Sequence, residues 1–164
     1  MELEIHDVDY ADPVHCTGIV SVLNSYSSDP SGGERPLSEE VQERLIPALR
    51  KHPATLVLLA VADRKPVGIA ICFFGLSTFQ ARPLLNIHDL AVLPEYRGRG
   101  IGRALLHAAE DRAIRRECCK LTLEVQDDNM RALGLYKDFG FGDFVIGNSS
   151  VTRFLSKPLS DRPG

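Results

Sequence analysis

The sequence predicts an α/β domain built on a mixed sheet, and three observations carry that prediction. Thr55 to Ala62 and Val67 to Phe74 are β-branched, apolar runs joined by Asp63-Arg64-Lys65-Pro66, the pattern of an antiparallel hairpin. From Leu84 onward strand-like and helix-like segments alternate, which requires at least one parallel pair joined by a crossover. The chain has 164 residues, 44% of them apolar and 25% charged, enough to bury one core and too few for two ordinary domains. Residues 1–164 are therefore read as a single soluble domain with one site.

Leu3 to Ile5 alternate weakly and predict a short first strand. Asp12-Pro13 starts a helix running to about Tyr26, with Ile19, Val22 and Leu23 at helical spacing. Ser27 to Pro36 carries two Pro and two Gly in ten residues and is a candidate substrate loop. Ser38 reads as an N-cap, followed by Glu39 and Glu40 where the helix dipole favours acids. Val41, Leu45, Ile46 and Leu49 then form one apolar face, ending near Lys51.

After the hairpin, Leu84 to Leu93 is a strand with polar groups at its centre, Asn86, His88 and Asp89. A helix follows from Gly100, then a strand over Leu121 to Val125, then a helix from near Asn129 to about Phe139 that Gly140-Phe141 ends. Val145-Ile146 and Val151 to Leu155 read as closing strands.

The net charge of -3 gives no reason to expect a nucleic-acid partner. Arg97, Arg99 and Arg103 cluster in a way that suits a small anionic ligand, whereas Arg112, Arg115, Arg116 and Lys120 read as a solvated helix end. Cys16, Cys72, Cys118 and Cys119 lack CxxC spacing and a histidine cluster, so no metal is expected. The opening MELEIHDVDY lacks a secretory pattern, and no apolar run approaches the roughly 18 residues that span a bilayer. The expected setting is the cytoplasm, with reduced thiols and no membrane partner.

Arg97-Gly98-Arg99-Gly100-Ile101-Gly102 lies between a strand and a helix, where a helix N-terminus presents unpaired N–H groups to an anion. Glycines at every second position let a ligand approach the backbone, and a pyrophosphate is the natural guest. The spacing is GxGxG, neither GxxxxGK[ST] nor GxGxxG. Such turns also cap helices in proteins that bind nothing.

Arg97, Gly100 and Gly102 match the Arg/Gln-x-x-Gly-x-Gly/Ala pattern, and a second pattern follows in order: Asn129, Ala132, Leu135-Tyr136 and Gly140-Phe141. Together they resemble the two signature motifs of the GNAT (GCN5-related N-acetyltransferase) family, from about Leu84 to Phe141. The resemblance implies a mixed, mostly antiparallel sheet of about six to seven strands flanked by about four helices. Its central strands would splay apart to admit acetyl-CoA. Leu90, Ala91 and Val92 would give backbone contacts to pantetheine, and Arg97, Gly98, Arg99, Gly100, Ile101, Gly102 and Arg103 would hold the pyrophosphate. Asn129 would fix the cofactor near its thioester. The run Asp89-Leu90-Ala91-Val92 followed by Pro94-Glu95-Tyr96-Arg97 is similar to diamine acetyltransferases, which commonly carry an acid where this chain has His88. That departure weakens a polyamine assignment.

The implied reaction moves an acetyl group to a primary amine, most simply of a small molecule. The amine must first lose a proton, since a lysine-like amine has a pKa of about 10.4. His88, Asp89 and Glu124 are the candidate bases. Adjacent residues on a strand face opposite sides, so His88 and Asp89 are not expected to share the cleft. Tyr136, by its motif position, would protonate the departing CoA thiolate. Asn86, Ser77, Thr78 and Phe79, with Tyr26 and Asp29, are candidates to shape the acceptor pocket. The competing readings are a non-catalytic acyl-CoA-binding module and a transferase acting on protein N-termini or lysines. The resemblance also implies a homodimer, with the strands after Phe141 as the expected interface.

Overall fold

The protein is described by a computed structural model covering residues 1–30, 32–143, 145–146, 150–151 and 155–159. Residues 1–129 form one compact unit and residues 130–164 a second.

In the first unit β1 (Leu3–Asp7), β2 (Thr55–Ala62), β3 (Lys65–Ser77) and β4 (Arg82–Val92) pair antiparallel in that order, and β5 (Leu121–Leu123) joins β4 in parallel. The helices are α1 (Pro13–Ser28), α2 (Glu39–Lys51) and α3 (Ile101–Arg115), so α3 is the crossover that the alternation required. Both predicted N-caps form: the Asp12 carboxylate accepts from the Val14 N–H at 2.8 Å, and Ser38 Oγ accepts from the Val41 N–H at 3.3 Å. The hairpin is tighter than expected. Asp63 and Arg64 both take left-handed φ, 48° and 68°, which makes a two-residue turn matched to strand twist and leaves Lys65 and Pro66 inside β3.

Among the described residues the sheet of the first unit holds five strands, slightly fewer than the six to seven expected. In the second unit β6 (Val145–Ile146) and β7 (Ser150–Val151) pair with each other as a separate two-stranded sheet. The final strand expected over Val151 to Leu155, and with it most of the expected dimer interface, falls partly on residues outside those described. The helix α4 (Met130–Phe139) ends as the sequence indicated, through a Schellman motif. Gly140 takes φ 106° and gives its N–H to the Lys137 carbonyl, and the Phe141 N–H reaches the Tyr136 carbonyl at 2.9 Å.

In the first unit α1 and α2 cover one face of the sheet. Ile19, Val22 and Leu49 cluster there with Val57, Leu59, Ile69, Ile71, Ala91 and Leu93. The helix α3 covers the opposite face, pressed so close at Gly68 that a Cβ would stand 3.1 Å from the Ala91 carbonyl oxygen and 3.2 Å from Ile101 Cγ2. Burying these apolar side chains supplies the main stabilisation, at roughly 25 cal/mol per Å² removed from water.

Between Ile71 and Cys72 the β3–β4 register shifts from Cys72↔Ile87 to Ile71↔Asp89, so His88 is an extra residue bulged out of β4. The bulge exchanges both faces and edges. Before it, Leu85 lies opposite Phe74, whose ring meets Arg116 just past α3, and the Leu85 N–H donates toward β5, to the Lys120 carbonyl at 3.1 Å. After it, Ala91 and Leu93 face α1, and the Leu93 N–H donates toward β3, to the Val67 carbonyl at 2.9 Å.

Candidate active site

Pairing between β4 and β5 ends at Ile87↔Leu123. The last pairs are held by Asn86, whose Nδ2 donates to Thr122 Oγ1 at 3.0 Å. Because the bulge has reversed the edges, Leu90 and Val92 turn their N–H and C=O groups away from β3, toward the side that β5 has left. Ala91, opposite Ile69, turns its groups to β3. Of the three residues expected to offer backbone contacts, Leu90 and Val92 have the orientation and Ala91 does not.

Beyond β4, Pro94–Tyr96 make one 3-10 turn and lead into the glycine segment. Gly98 and Gly100 take φ 74° and 82°, and a Cβ at either would meet nothing within 4 Å. Glycine is needed there for its backbone conformation and for the open space it leaves in front of α3. The first intrahelical bond runs from the Ala104 N–H to the Gly100 carbonyl at 3.0 Å, so the N–H groups of Ile101 and Gly102 precede the helical ladder. The Ile101 side chain is buried in the core, leaving only its N–H to face a ligand.

The arginines behave differently from one another. Arg97 donates from Nε to the Val92 carbonyl at 2.9 Å and pairs through Nη2 with Asp29 Oδ2 at 2.7 Å. Arg99 donates to the Glu95 carbonyl at 3.1 Å and lies over the Tyr96 ring. Arg103 is exposed on the first turn of α3. Arg97 and Arg99 thus each bond a main-chain carbonyl, and the start of α3, with its N–H groups ahead of the ladder, its dipole and the exposed Arg103, has the chemistry to attract an anion.

The expectation that His88 and Asp89 take opposite faces is overturned, because a bulge breaks the two-residue alternation at His88. The His88 imidazole is exposed and stands edge-on to Phe73 at 5.6 Å, and Phe73 packs on the α1 and α2 cluster. Asp89 lies on the same face, where burial raises its carboxyl above the usual range and the neighbouring His88 opposes that rise. Burial also raises the Tyr26 hydroxyl, the charges of Asp89 and Asp29 push it further, and Arg97 pulls it back. Tyr26, Asp29, Asp89 and Arg97 therefore share one local field beside the C-terminus of α1.

Among the other predicted residues, Ser77, Thr78 and Phe79 are not brought there. Glu124 is exposed and follows β5 instead of belonging to it, since the strand ends at Leu123. Ser77 pairs with Arg82 at the far end of the hairpin, four residues beyond the Phe73↔Asn86 pair, or roughly 13 Å along the strand. Phe79 is 96% exposed at that tip, so Ser77, Thr78 and Phe79 do not join Asn86, Tyr26 and Asp29 in one pocket. Asn129 donates its N–H to the Gln126 carbonyl at 3.1 Å in the turn after β5. Tyr136, in the second unit, sets its ring edge-on to Phe141 at 5.8 Å. Sequence reasoning missed the Arg97–Asp29 pair and the bulge. The polar run Asn86 to Asp89 in an otherwise apolar strand was the signal for the bulge, and nothing local signalled the pair.

A strand edge freed beside a glycine turn suits a ligand that joins an extended amide chain to a pyrophosphate. The chain matches the Acetyltransferase (GNAT) family over residues 19–141 and belongs to that family, whose members use acetyl-CoA; it is an acetyl-CoA-dependent N-acyltransferase. It is 32% identical over 133 residues to thialysine N-epsilon-acetyltransferase from Mus musculus, covering 80% of this chain and 72% of that protein. Its fold resembles ribosomal-protein-alanine N-acetyltransferase from Brucella melitensis biovar Abortus, at TM-score 0.69 and 22% identity, covering 93% of this chain and 100% of that one. It also resembles AAC(6')-Iy in complex with the bisubstrate analog CoA-S-monomethyl-acetylneamine, at TM-score 0.72 and 14% identity, covering 94% and 100%. No helix among the described residues is long and apolar enough to cross a membrane.

Proposed function

We propose that the protein acetylates the primary amine of a small molecule, of the kind the name of its mouse relative specifies, by direct attack of the amine on the thioester of acetyl-CoA. The observation that carries this reading is the freed edge of β4 at Leu90 and Val92, adjoining the left-handed glycine turn at the start of α3. These features fit the co-substrate: an extended amide chain can pair with a strand edge, and a pyrophosphate suits Gly98 to Arg103. Acetyl-CoA supplies the activated acyl group. The residues of the chain do the rest.

The Leu90 N–H, turned away from β3, faces the developing negative charge on the thioester oxygen, a contact worth roughly 3 kcal/mol in comparable sites. Asp89, whose charge is felt at Tyr26, supplies a carboxyl group on the α1 side of the strand that suits a cationic acceptor, whereas the Asp29 charge is balanced by Arg97. Proton removal from the amine is assigned to His88 and Asp89, which the bulge sets on one face; a carboxylate raised by burial is a better base than an exposed one. Glu124, exposed at the end of β5, takes an outer place in that relay. Asn129 is assigned to the thioester end and Tyr136 to thiolate protonation, both on their motif positions.

The test is CoA release from acetyl-CoA across thialysine, lysine, polyamines, aminoglycosides and short peptides, run beside calorimetric titration of acetyl-CoA alone. Turnover on the small amines and not on peptides supports the reading. Turnover on peptides only would move the acceptor to proteins, and binding without turnover on any amine would favour a non-catalytic module.

A further inference from the structure

Asp29 sits at a junction in the first unit. It caps α1 through its N–H, which reaches the Tyr26 carbonyl at 3.0 Å, and its own carbonyl accepts from Gly32 at 2.8 Å and Glu34 at 3.3 Å. The turn is closed onto the helix by Ser27, whose hydroxyl donates to the Arg35 carbonyl at 2.7 Å and whose carbonyl takes the Arg35 N–H. The Asp29 carboxylate leaves this turn and meets Arg97 at 2.7 Å, with the two side chains 14% and 20% exposed. The same guanidinium bonds the Val92 carbonyl on the freed edge of β4. One side chain, fixed in sequence one residue before the glycine turn, therefore ties together the acyl-donor strand and the loop after α1.

We propose that Arg97 is a positioning residue for the acceptor side of the reaction: its guanidinium is a strut between Val92 and Asp29 that sets the α1–α2 loop against β4, and its side chain is not a phosphate ligand. Lysine at this place keeps the charge but gathers its three N–H groups on one nitrogen, whereas the guanidinium reaches two acceptors held apart from separate nitrogens, Nε and Nη2. The role assigned to the loop rests on the reading of the protein as a small-amine acetyltransferase, whereas the strut itself does not.

The experiment compares wild type with Arg97→Gln, Arg97→Lys, Asp29→Asn and the Arg97→Gln/Asp29→Asn double variant. Steady-state kinetics would use the best amine with two donors, acetyl-CoA and S-acetyl-pantetheine, which lacks the pyrophosphate. A strut predicts that Arg97→Gln and Asp29→Asn each raise the amine KM by roughly tenfold, that the double variant is no worse than either, and that Arg97→Lys falls between. It also predicts that KM for the two donors shifts by the same factor, because no phosphate contact is lost. A rise in KM for acetyl-CoA with none for S-acetyl-pantetheine would overturn the proposal and make Arg97 a phosphate ligand. Additive effects of the two substitutions would show that Asp29 does not act through Arg97 and overturn it equally. Thermal melts of the same four variants judge the strut without turnover: the single variants should each lose about 4 °C and the double variant no more, while additive losses would remove the strut even if no amine proves to be a substrate.

Discussion

Ile87 of β4 stands opposite Leu123 of β5, and it is the last residue of β4 with a partner in that parallel ladder among the described residues. One residue later comes the His88 bulge, which turns the backbone groups of Leu90 and Val92 toward the vacated side. Without the bulge the N–H of Leu90 would serve β3. The site is thus opened by two local events in succession, the end of β5 and the insertion of one residue in β4.

Gly100 separates charge from conformation. Its φ of 82° strains any side chain, although Asp tolerates it better than most residues, so Gly100→Asp should cost about 1–2 kcal/mol of stability and leave the protein folded. The carboxylate would nevertheless stand before α3 where the pyrophosphate is proposed to lie. Calorimetry should show acetyl-CoA affinity reduced by roughly tenfold or more, since a repulsion of about 1.4 kcal/mol suffices for a factor of ten. Unchanged affinity would remove the glycine turn from the binding site.

Tyr136→Phe keeps the ring that packs on Phe141 and removes only the hydroxyl. Turnover should fall by roughly one to two orders of magnitude, within the usual range for a lost general acid, with acetyl-CoA affinity nearly unchanged. Full activity in the variant would exclude Tyr136 from proton transfer.

Asp89 should reveal its burial through pH. Its folded pKa lies above the unfolded one, so the fold favours the protonated form. That contribution to stability is complete below the ordinary aspartate pKa of about 3.9 and is lost as pH rises through the raised value. Asparagine is uncharged throughout, so Asp89→Asn should melt higher than wild type at pH 7, with the difference shrinking toward zero near pH 3 to 4. A difference that stays constant with pH would mean that Asp89 carries no buried-charge penalty.

Gly68→Ala probes how closely α3 lies on the sheet. The new Cβ would press on the Ala91 carbonyl at 3.1 Å as well as on Ile101 and Leu105, and a strand carbonyl yields less readily than a side-chain tip. Thermal melts should show a loss of about 1–3 kcal/mol, the usual cost of overpacking, and no loss would contradict that contact.

Much of the architecture is legible in single residues. Asp12 and Ser38 mark the starts of α1 and α2, Gly140-Phe141 marks the end of α4, and the Arg97 to Gly102 turn marks the start of α3, because caps and left-handed turns are chosen by the residues that form them. The site was legible only in outline. The turn between Asp63 and Arg64 was read two residues too long because neither residue is a glycine, although both take left-handed φ. The last residues expected in β5, Glu124 and Val125, lie beyond the strand even though Val125 has the β-branched side chain of a strand residue.

The amino-acid sequence by itself determined the order of elements, the parallel crossover and the location of the glycine turn, all of which depend on near neighbours in the chain. Only the tertiary structure decided that His88 bulges, that Leu90 and Val92 rather than Ala91 face the opening, and that Arg97 reaches Asp29 across 68 residues of sequence. Those outcomes depend on which strands end where and on which side chains meet across the sheet, and register and long-range ion pairs leave no periodic trace in the chain that forms them.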